Sequence, residues 1–358
     1  MSTQILALEK RLEQLAVSVP DKFPIRTANY WDRYRALLGY LRTAIYPHIN
    51  AGLACLSKSP GIYTDHGPDH FDEVIRYAGN LIDPSFDPDG TGAIDPYDLF
   101  LLLSAIRLHD AGNLDGRENH EKRAINILKE AGAAACPDDD EASLIAHIAE
   151  AHGGRTASGD RDTIGALNER YGMGAVKCRP QLVAAIVRFA DEICEHLGRA
   201  STHHLDAGTL PPQNQLFHLY SRGVKQALVD RDAKSFELRL VFDAASLRDR
   251  YPTPKHCPEQ PDEKFVLDDA FDRIEKLDAE RIYCNRFLTP ELRTESLVIK
   301  LDITRSKPAG NQSIKETWIS TPFTIQERGY PSPDTSWRSK LSQISGSEIA
   351  SKLQQGLS

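Results

Sequence analysis

The sequence predicts a mainly α-helical protein with a smaller α+β segment toward its C-terminal side. Apolar residues recur at helical spacing through most of the first 200 or so positions. Beyond them, two segments alternate apolar and polar residues with a period of two, as strands do. With 358 residues, the chain is long enough to bury a large core, in one large domain or two smaller ones.

The helices of the first part follow from this spacing and from the Pro, Gly and Asp residues between them. The predicted helices are 4–17, 30–49, 69–82, 99–109, 118–132, 140–152 and 180–199. The helix at 99–109 is almost wholly apolar, which predicts that it is buried. The stretch 83–97 is dense in Asp, Gly and Pro, which predicts a loop.

The second part predicts a different architecture. Residues 236–242 (FELRLVF) and 297–303 (LVIKLDI) are the predicted strands, with a helix over 262–289 between them. From about residue 305 the chain is rich in Ser, Pro, Thr and Lys, which predicts an irregular tail. We therefore expect four regions: N-terminal helices packed on a core (1–58), the helical core (59–205), an α+β segment (206–304) and the tail (305–358).

Charge and composition restrict the function. The net charge of −8 argues against binding to duplex nucleic acid, which selects a basic face. A small phosphorylated substrate stays compatible with this charge, because bound metal ions can supply positive charge locally. The six cysteines form no CxxC pair, which favours free thiols in a reducing compartment.

The sequence predicts neither a membrane span nor an export signal. No stretch approaches the roughly 20 apolar residues of a membrane span. Lys10 and Arg11 interrupt the first apolar residues, so the N-terminus predicts an amphipathic helix instead of a secretion signal. We expect a soluble, cytoplasmic protein.

Histidine and aspartate side chains occur in an order that predicts a metal site. An adjacent pair, His109-Asp110, supplies both ligand types from one short backbone segment. Imidazole nitrogen and carboxylate oxygen suit Mn, Fe, Co, Ni and Zn and, with enough oxygen ligands, Mg. The candidate ligands are His70, His109, Asp110, Asp191, His120, His147 and His152.

Position in the predicted helices separates these candidates. Asp110 ends an apolar helix, where a carboxylate is costly unless it is paired or binds a metal. Asp191 lies beside the apolar stripe of its helix, and a salt bridge to Arg188 is the alternative to metal binding. His147 and His152 are five residues apart, and the two glycines that follow predict a helix end that favours His152 as a ligand.

His66 and His120 have more than one interpretation. A glycine and a proline follow His66, so it is either a loop or capping residue or a ligand or substrate contact. His120 is either a ligand or a solvated helix residue. Either imidazole could move protons, and we take both, with Asp110, as the candidate catalytic residues. Basic side chains that could hold phosphates, or could simply form surface ion pairs, are Arg117, Lys122, Arg188 and Arg199.

These motifs resemble the HD superfamily of metal-dependent phosphohydrolases. His70, His109-Asp110 and Asp191 are similar to its four-point signature, and the stretches YTDHGPDHFDEVI, LLLSAIRLHDAGN and VRFADEICEHLGR resemble the form found in bacterial conflict-system HD proteins. The resemblance covers roughly residues 60–200 and implies an HD-type helical bundle with one or two divalent ions. His120 and His147 or His152 resemble the extra histidines that allow a second ion. Asn113 stands where a phosphate-binding lysine often occurs.

The resemblance implies hydrolysis of a phosphoester or phosphoanhydride bond in a nucleotide. The enzyme would be a dNTP triphosphohydrolase or a nucleotide phosphodiesterase, with antiphage defence as its setting. A single-strand nuclease and a non-catalytic nucleotide-sensing module are the alternatives. Residues 203–304 could cap the site, bind an effector or form a homo-oligomer interface.

The stretch FDPDGTGAIDPYDLF also resembles the calcium-binding loop of an EF-hand. Loop positions one, three, five, nine and twelve are Asp87, Asp89, Thr91, Asp95 and Asp98. Asp98 replaces the usual bidentate glutamate, and a shorter carboxylate favours weaker or magnesium-like binding. The alternative is an Asp-rich turn held by its own backbone contacts. We interpret the loop as a candidate Ca²⁺ site.

Overall fold

A computed structural model describes residues 5–57, 61–82, 94–253, 262–309, 312–331 and 333–355. The chain divides into two compact units. The first unit contains Met1–Pro60, His66–Cys194 and Cys284–Arg293, and the second contains Gly61–Asp65, Glu195–Tyr283 and Thr294–Ser358. The protein is mainly α-helical, as the sequence predicts.

The first unit is a helical bundle with one short β-hairpin. Its helices are α1 Ala7–Ser18, α2 Tyr30–Tyr40, α3 Ile49–Leu56, α4 Pro68–Ile82, α5 Pro96–Leu108, α6 Ala124–Ala131, α7 Asp139–Glu150 and α8 Pro180–Glu192. The hairpin pairs β1 (Tyr171–Met173) with β2 (Val176–Cys178). In the described part of the chain, no helix is both long and apolar enough to cross a bilayer.

Three predicted helices are shorter than expected. The helix expected over 180–199 ends at Glu192, and Leu197–Arg199 form a separate 3₁₀ turn. The helix expected over 30–49 leaves regular α geometry after Tyr40, through a π-helical segment at Leu41–Ile45. Pro47 follows, and a proline inside a helix removes a backbone hydrogen bond. The helix expected from residue 118 begins at Ala124, because Asn119 adopts a left-handed conformation (φ 55°) and His120–Arg123 form a 3₁₀ turn.

Helix α5 lies at the centre of the first unit and is buried along its whole length. Helices α1, α7 and α8 pack against it, and its leucine side chains fill the space between them. Apolar burial on all sides explains why this segment shows no polar face in the sequence. The buried position of α5 also places the two polar residues that follow it, His109 and Asp110, inside the protein.

The second unit contains a four-stranded sheet in the order β3-β4-β7-β8. Its strands are β3 Val224–Asp230, β4 Ser235–Asp243, β7 Ser296–Ala309 and β8 Gln312–Gln326, and the small β5 Arg250–Pro252 and β6 Glu263–Phe265 pair separately. Strands β4 and β7 are parallel, which requires a crossover connection, and α11 (Val266–Asn285) lies between them in sequence. The remaining helices are α9 Thr202–Asp206, α10 Pro212–Gly223, α12 Ser336–Lys340 and α13 Gly346–Gln354.

The C-terminal segment differs from the expected irregular tail. Strand β7 continues to Ala309, and β8 pairs antiparallel with it over its full length before α12 and α13 follow. Strand β8 is at the edge of the sheet, so a sequence rich in Ser, Thr and Lys is compatible with it. A register shift between Ile303 and Thr304 interrupts the regular pairing of these two consecutive strands.

Candidate metal centre

The four residues of the predicted signature come together at the ends of three helices. His70 lies in α4, His109 and Asp110 follow α5, and Asp191 lies near the end of α8. His70 Nε2 is 3.2 Å from Asp191 Oδ1, and His109 Nε2 is 3.6 Å from the same oxygen. One ligand atom from each of His70, His109 and Asp191 lies within 4.8 Å of the others, close enough to share one ion.

Asp110 connects this group to a second set of histidines. Its Oδ1 lies 2.8 Å from His120 Nε2 and 3.7 Å from His152 Nε2, and these three residues form another group that could hold an ion. Its Oδ2 lies 2.8 Å from His66 Nδ1 and 3.9 Å from His70 Nε2. The two carboxylate oxygens thus face two different sets of imidazoles.

Close backbone packing brings His120 to Asp110. After α5 the chain forms a 3₁₀ turn at Ala111–Asp115, and the turn containing His120 packs against it. A Cβ atom at Gly112 would lie 2.0 Å from the His120 carbonyl oxygen, so only glycine permits this approach. The sequence HDAG therefore supplies two ligands and the space for a third.

Three of the histidines are oriented by their own backbone. The Nδ1 atoms of His109, His120 and His152 lie 2.7, 2.8 and 2.6 Å from the carbonyl oxygens of Ile106, Arg117 and Ala149. A carbonyl only accepts, so each Nδ1 carries the proton and each Nε2 keeps a lone pair for a ligand.

The burial of two Nε2 atoms also supports the assignment of Nε2 as the metal-binding nitrogen. Among the residues that the structure describes, the buried Nε2 atoms of His109 and His120 have no hydrogen bond of good geometry. Buried polar atoms are normally satisfied, and a bound cation would satisfy these. The donor set of imidazole nitrogens and carboxylate oxygens therefore fits a divalent ion.

The two carboxylates are ionised, as metal binding requires. Burial acts to raise the pKa of Asp110, but Arg117 and the imidazoles of His120, His152 and His66 outweigh it and hold that pKa well below its ordinary value. Burial likewise acts to raise the pKa of Asp191, but the neighbouring imidazoles of His109 and His70 outweigh it and hold that pKa well below its ordinary value. Both groups therefore present negative charge at neutral pH.

Other predicted residues lie outside these groups. His147 is exposed and lines a separate cavity together with Lys122. Arg188 donates to Thr163 Oγ1 at 3.0 Å, while Asp191 contacts histidines. Arg199 belongs to the second unit.

Arg117 brings a positive charge close to Asp110. Its Nη1 is 3.2 Å from Asp110 Oδ1 and 3.4 Å from Asn113 Oδ1. Asn113 occupies the position where HD phosphohydrolases often have a lysine. The side chain of Arg117 is 44% exposed, so the guanidinium extends from the cluster toward solvent.

The candidate calcium loop is only partly described. Asp87, Asp89 and Thr91 lie outside the described residues. Asp98 is fully buried and accepts hydrogen bonds from the backbone N and the Nε of Arg179 at 2.9 and 2.8 Å. Asp95 Oδ2 lies 3.3 Å from Arg179 Nη2. Both described carboxylates thus contact a guanidinium, and calcium binding stays a prediction.

Two residues near the centre were not singled out from the sequence. Arg107 is the only charged residue in the stretch Leu99–Leu108, and a charge in so apolar a helix requires buried partners. Cys194 is buried, with Sγ 3.8 Å from His70 Nδ1. The isolated charge could have identified Arg107 from the sequence. A cysteine among apolar neighbours gives no comparable indication.

A helical bundle that presents His, His-Asp and Asp from three helices defines an HD domain. The model of the HD-CE family matches residues 61–280. The chain belongs to this family, which is an HD-domain family of the conflict-system type. No curated protein and no solved structure matches the sequence.

Proposed function

We propose that the protein hydrolyses a phosphoester or phosphoanhydride bond of a nucleotide with the help of divalent ions held by the His/Asp cluster. The observation that supports this most directly is the position of Asp110, whose two oxygens face different imidazoles. Around it, His109, His120 and His152 each keep Nε2 available for a metal ion. The reaction is that of a dNTP triphosphohydrolase or a nucleotide phosphodiesterase. The membership in a conflict-system family makes antiphage defence the setting.

The residues divide between two ion positions. His70, His109 and Asp191 would hold one ion, and Asp110, His120 and His152 a second. The ligand chemistry suits Mn, Fe, Co, Ni, Zn or Mg. A bound divalent ion supplies Lewis acidity toward a phosphoryl oxygen and lowers the pKa of water.

His66 and Arg117 are placed to act on the substrate. The imidazole of His66 is 12% exposed, and its Nδ1 lies 2.8 Å from Asp110 Oδ2, so it can pass a proton between the cluster and solvent. The guanidinium of Arg117 lies on the Oδ1 side of the same carboxylate. From there it can donate two hydrogen bonds to a phosphate.

The alternatives have less support. A single-strand nuclease must attract a polyanion, and the net charge of −8 opposes this. A nucleotide sensor without catalysis does not require two adjacent groups of ligands with ionised carboxylates.

The experiment is a metal and substrate panel. The purified protein is incubated with Mn, Mg, Co or Ni and with dNTPs, cyclic dinucleotides or single-stranded DNA. We expect hydrolysis of a nucleotide by the wild type, and its loss in His109→Ala and in Asp110→Ala. His48→Ala, an exposed histidine outside the cluster, is the matched control. Failure of the wild type with every metal, or equal activity in the cluster variants, would exclude the proposal.

A further inference from the structure

A cavity of about 320 Å³ lies in the first unit, next to the segments that supply two of the cluster histidines. Glu121 and Lys122, which directly follow His120, form part of its wall. Glu150 and Ala151, which directly precede His152, form another part. The cavity and the ion cluster therefore share two stretches of backbone.

The size of the cavity limits what it can hold. Pockets for small molecules have volumes of about 300–1,000 Å³, and this cavity lies at the lower end of that range. It has room for one nucleoside-sized group. A dinucleotide or a nucleic-acid strand would extend well outside it.

Charges of both signs line the cavity. Glu121 and Glu150 offer carboxylate oxygens, which accept hydrogen bonds from the exocyclic amino group of a base. Lys122 and Arg155 offer donors that suit phosphate and sugar oxygens. The exposed imidazole of His147 lies at the same wall.

Small apolar side chains complete the lining. Ala151, Ala166 and Leu167 give the cavity an uncharged surface on which a planar ring can pack. A mixture of apolar surface with a few polar groups is typical of sites that bind one small organic molecule.

One side chain links the cavity to the cluster. Glu121 lines the cavity, and its Oε2 lies 3.3 Å from His120 Nδ1. His120 Nε2 in turn lies 2.8 Å from Asp110 Oδ1. A ligand that contacts Glu121 is therefore separated from the ion cluster by a single imidazole.

We propose that this cavity binds the base and sugar of a mononucleotide that carries an amino-bearing base, and so selects the substrate of the adjacent cluster. This inference rests on the proposed nucleotide hydrolysis and makes it more specific. It assigns substrate selection to Glu121, Glu150 and Arg155, and it excludes dinucleotides and single strands as preferred ligands.

The test measures binding to the metal-loaded full chain by calorimetry. The probes are guanosine, cytidine and uridine monophosphates, ribose 5-phosphate and a cyclic dinucleotide. We expect guanosine or cytidine monophosphate to bind about tenfold more tightly than uridine monophosphate or the base-free sugar phosphate. In Ala166→Trp, which fills the cavity, that affinity should fall about tenfold or more. Ala134→Trp, at an exposed position outside the cavity lining, is the matched control.

Glu150→Gln provides a second variant that preserves side-chain size. It should reduce the preference for amino-bearing bases over uridine monophosphate. Tighter binding of the cyclic dinucleotide, or wild-type mononucleotide affinity in both cavity variants, would overturn the inference even if hydrolysis is observed. Binding that follows these expectations, with no hydrolysis under any metal, would support the cavity and reject the proposed function.

Discussion

Arg107 and Glu9 form an ion pair in the interior of the helical unit: Arg107 Nη2 lies 2.7 Å from Glu9 Oε1, and the two side chains are 1% and 4% exposed. The same guanidinium donates to Asp72 Oδ1 at 2.6 Å and to the Tyr34 hydroxyl at 2.9 Å. Asp72 is two residues from His70, and Arg107 is two residues from His109. Arg107 therefore connects α1, α2 and α4 to α5, the helix that ends at the ion cluster.

Removing Arg107 should destabilise the fold strongly. Arg107→Met leaves Glu9 buried without its charge partner, which costs about 3–5 kcal/mol of unfolding free energy. Chemical denaturation measures this loss, and Arg42→Met, at an exposed position, is the control. A loss below about 1 kcal/mol, the range of surface ion pairs, would show that the buried pair does not stabilise the bundle.

The same pair should make stability depend on pH. Burial acts to raise the pKa of Glu9, but Arg107, the Tyr34 hydroxyl and the Leu6 amide outweigh it and lower that pKa below its ordinary value of 4.5. The stabilisation is therefore complete above pH 4.5 and is lost as the pH falls through the lower, folded-state pKa.

The comparison that checks this is wild type against Glu9→Gln. The difference in unfolding free energy should be constant near neutral pH and should narrow below pH 4.5. Glu13→Gln, at a half-exposed position in the same helix, is the control variant. A difference of unchanged size at low pH would contradict the assignment.

The two faces of Asp110 predict two bound ions. We expect wild-type protein to retain two Mn²⁺ per chain, and His120→Ala and Asp191→Asn to retain one each, because these residues belong to different groups. Mass spectrometry of dialysed protein counts the ions. One ion in the wild type, still present in His120→Ala, would argue for a single site.

Cys194 should orient His70. The thiol lies 3.8 Å from His70 Nδ1, on the ring side opposite the nitrogen that faces Asp191. Loss of an outer partner of a metal-binding histidine typically weakens metal affinity by about 10–100-fold, and we expect this of Cys194→Ala. Cys194→Ser, which keeps a polar hydrogen, should recover part of the affinity. Equal Mn²⁺ affinity in Cys194→Ala and in Cys178→Ala, another buried cysteine, would rule out this role.

Asp98 should stabilise the fold whether or not the loop before it binds calcium. Because Asp98 is buried and accepts two hydrogen bonds from Arg179, Asp98→Asn should cost about 1–3 kcal/mol in a calcium chelator and in calcium alike. Asp87→Ala should instead remove any heat of calcium binding in calorimetry. A stability loss in Asp98→Asn that occurs only with calcium would assign Asp98 to the cation.

Much of the first unit follows from local pattern. Apolar residues at helical spacing predicted the positions of α1, α4, α5, α7 and α8. Asp110 was a strong candidate because a carboxylate at the end of an apolar helix needs a compensating partner, and the structure surrounds it with imidazoles. The order of the His and Asp residues along the chain was also sufficient to predict the HD family.

Other features depend on distances between segments that are far apart in sequence. The predicted helix end favoured His152 over His147 as a ligand, but the packing of α7 decides that His152 Nε2 lies 3.7 Å from Asp110 Oδ1 while His147 is exposed. The partners of Arg107 lie in three different helices, α1, α2 and α4.

The sequence by itself therefore predicted the metal-binding chemistry of this protein, from its residue types and their periodicity. It could do so because burial of a charged or ligating group is unfavourable unless a partner compensates it. Which oxygen of Asp110 meets which histidine, and which residues line the neighbouring cavity, depended on how the helices pack. Packing brings together side chains separated by many residues, and no short stretch of sequence encodes those distances.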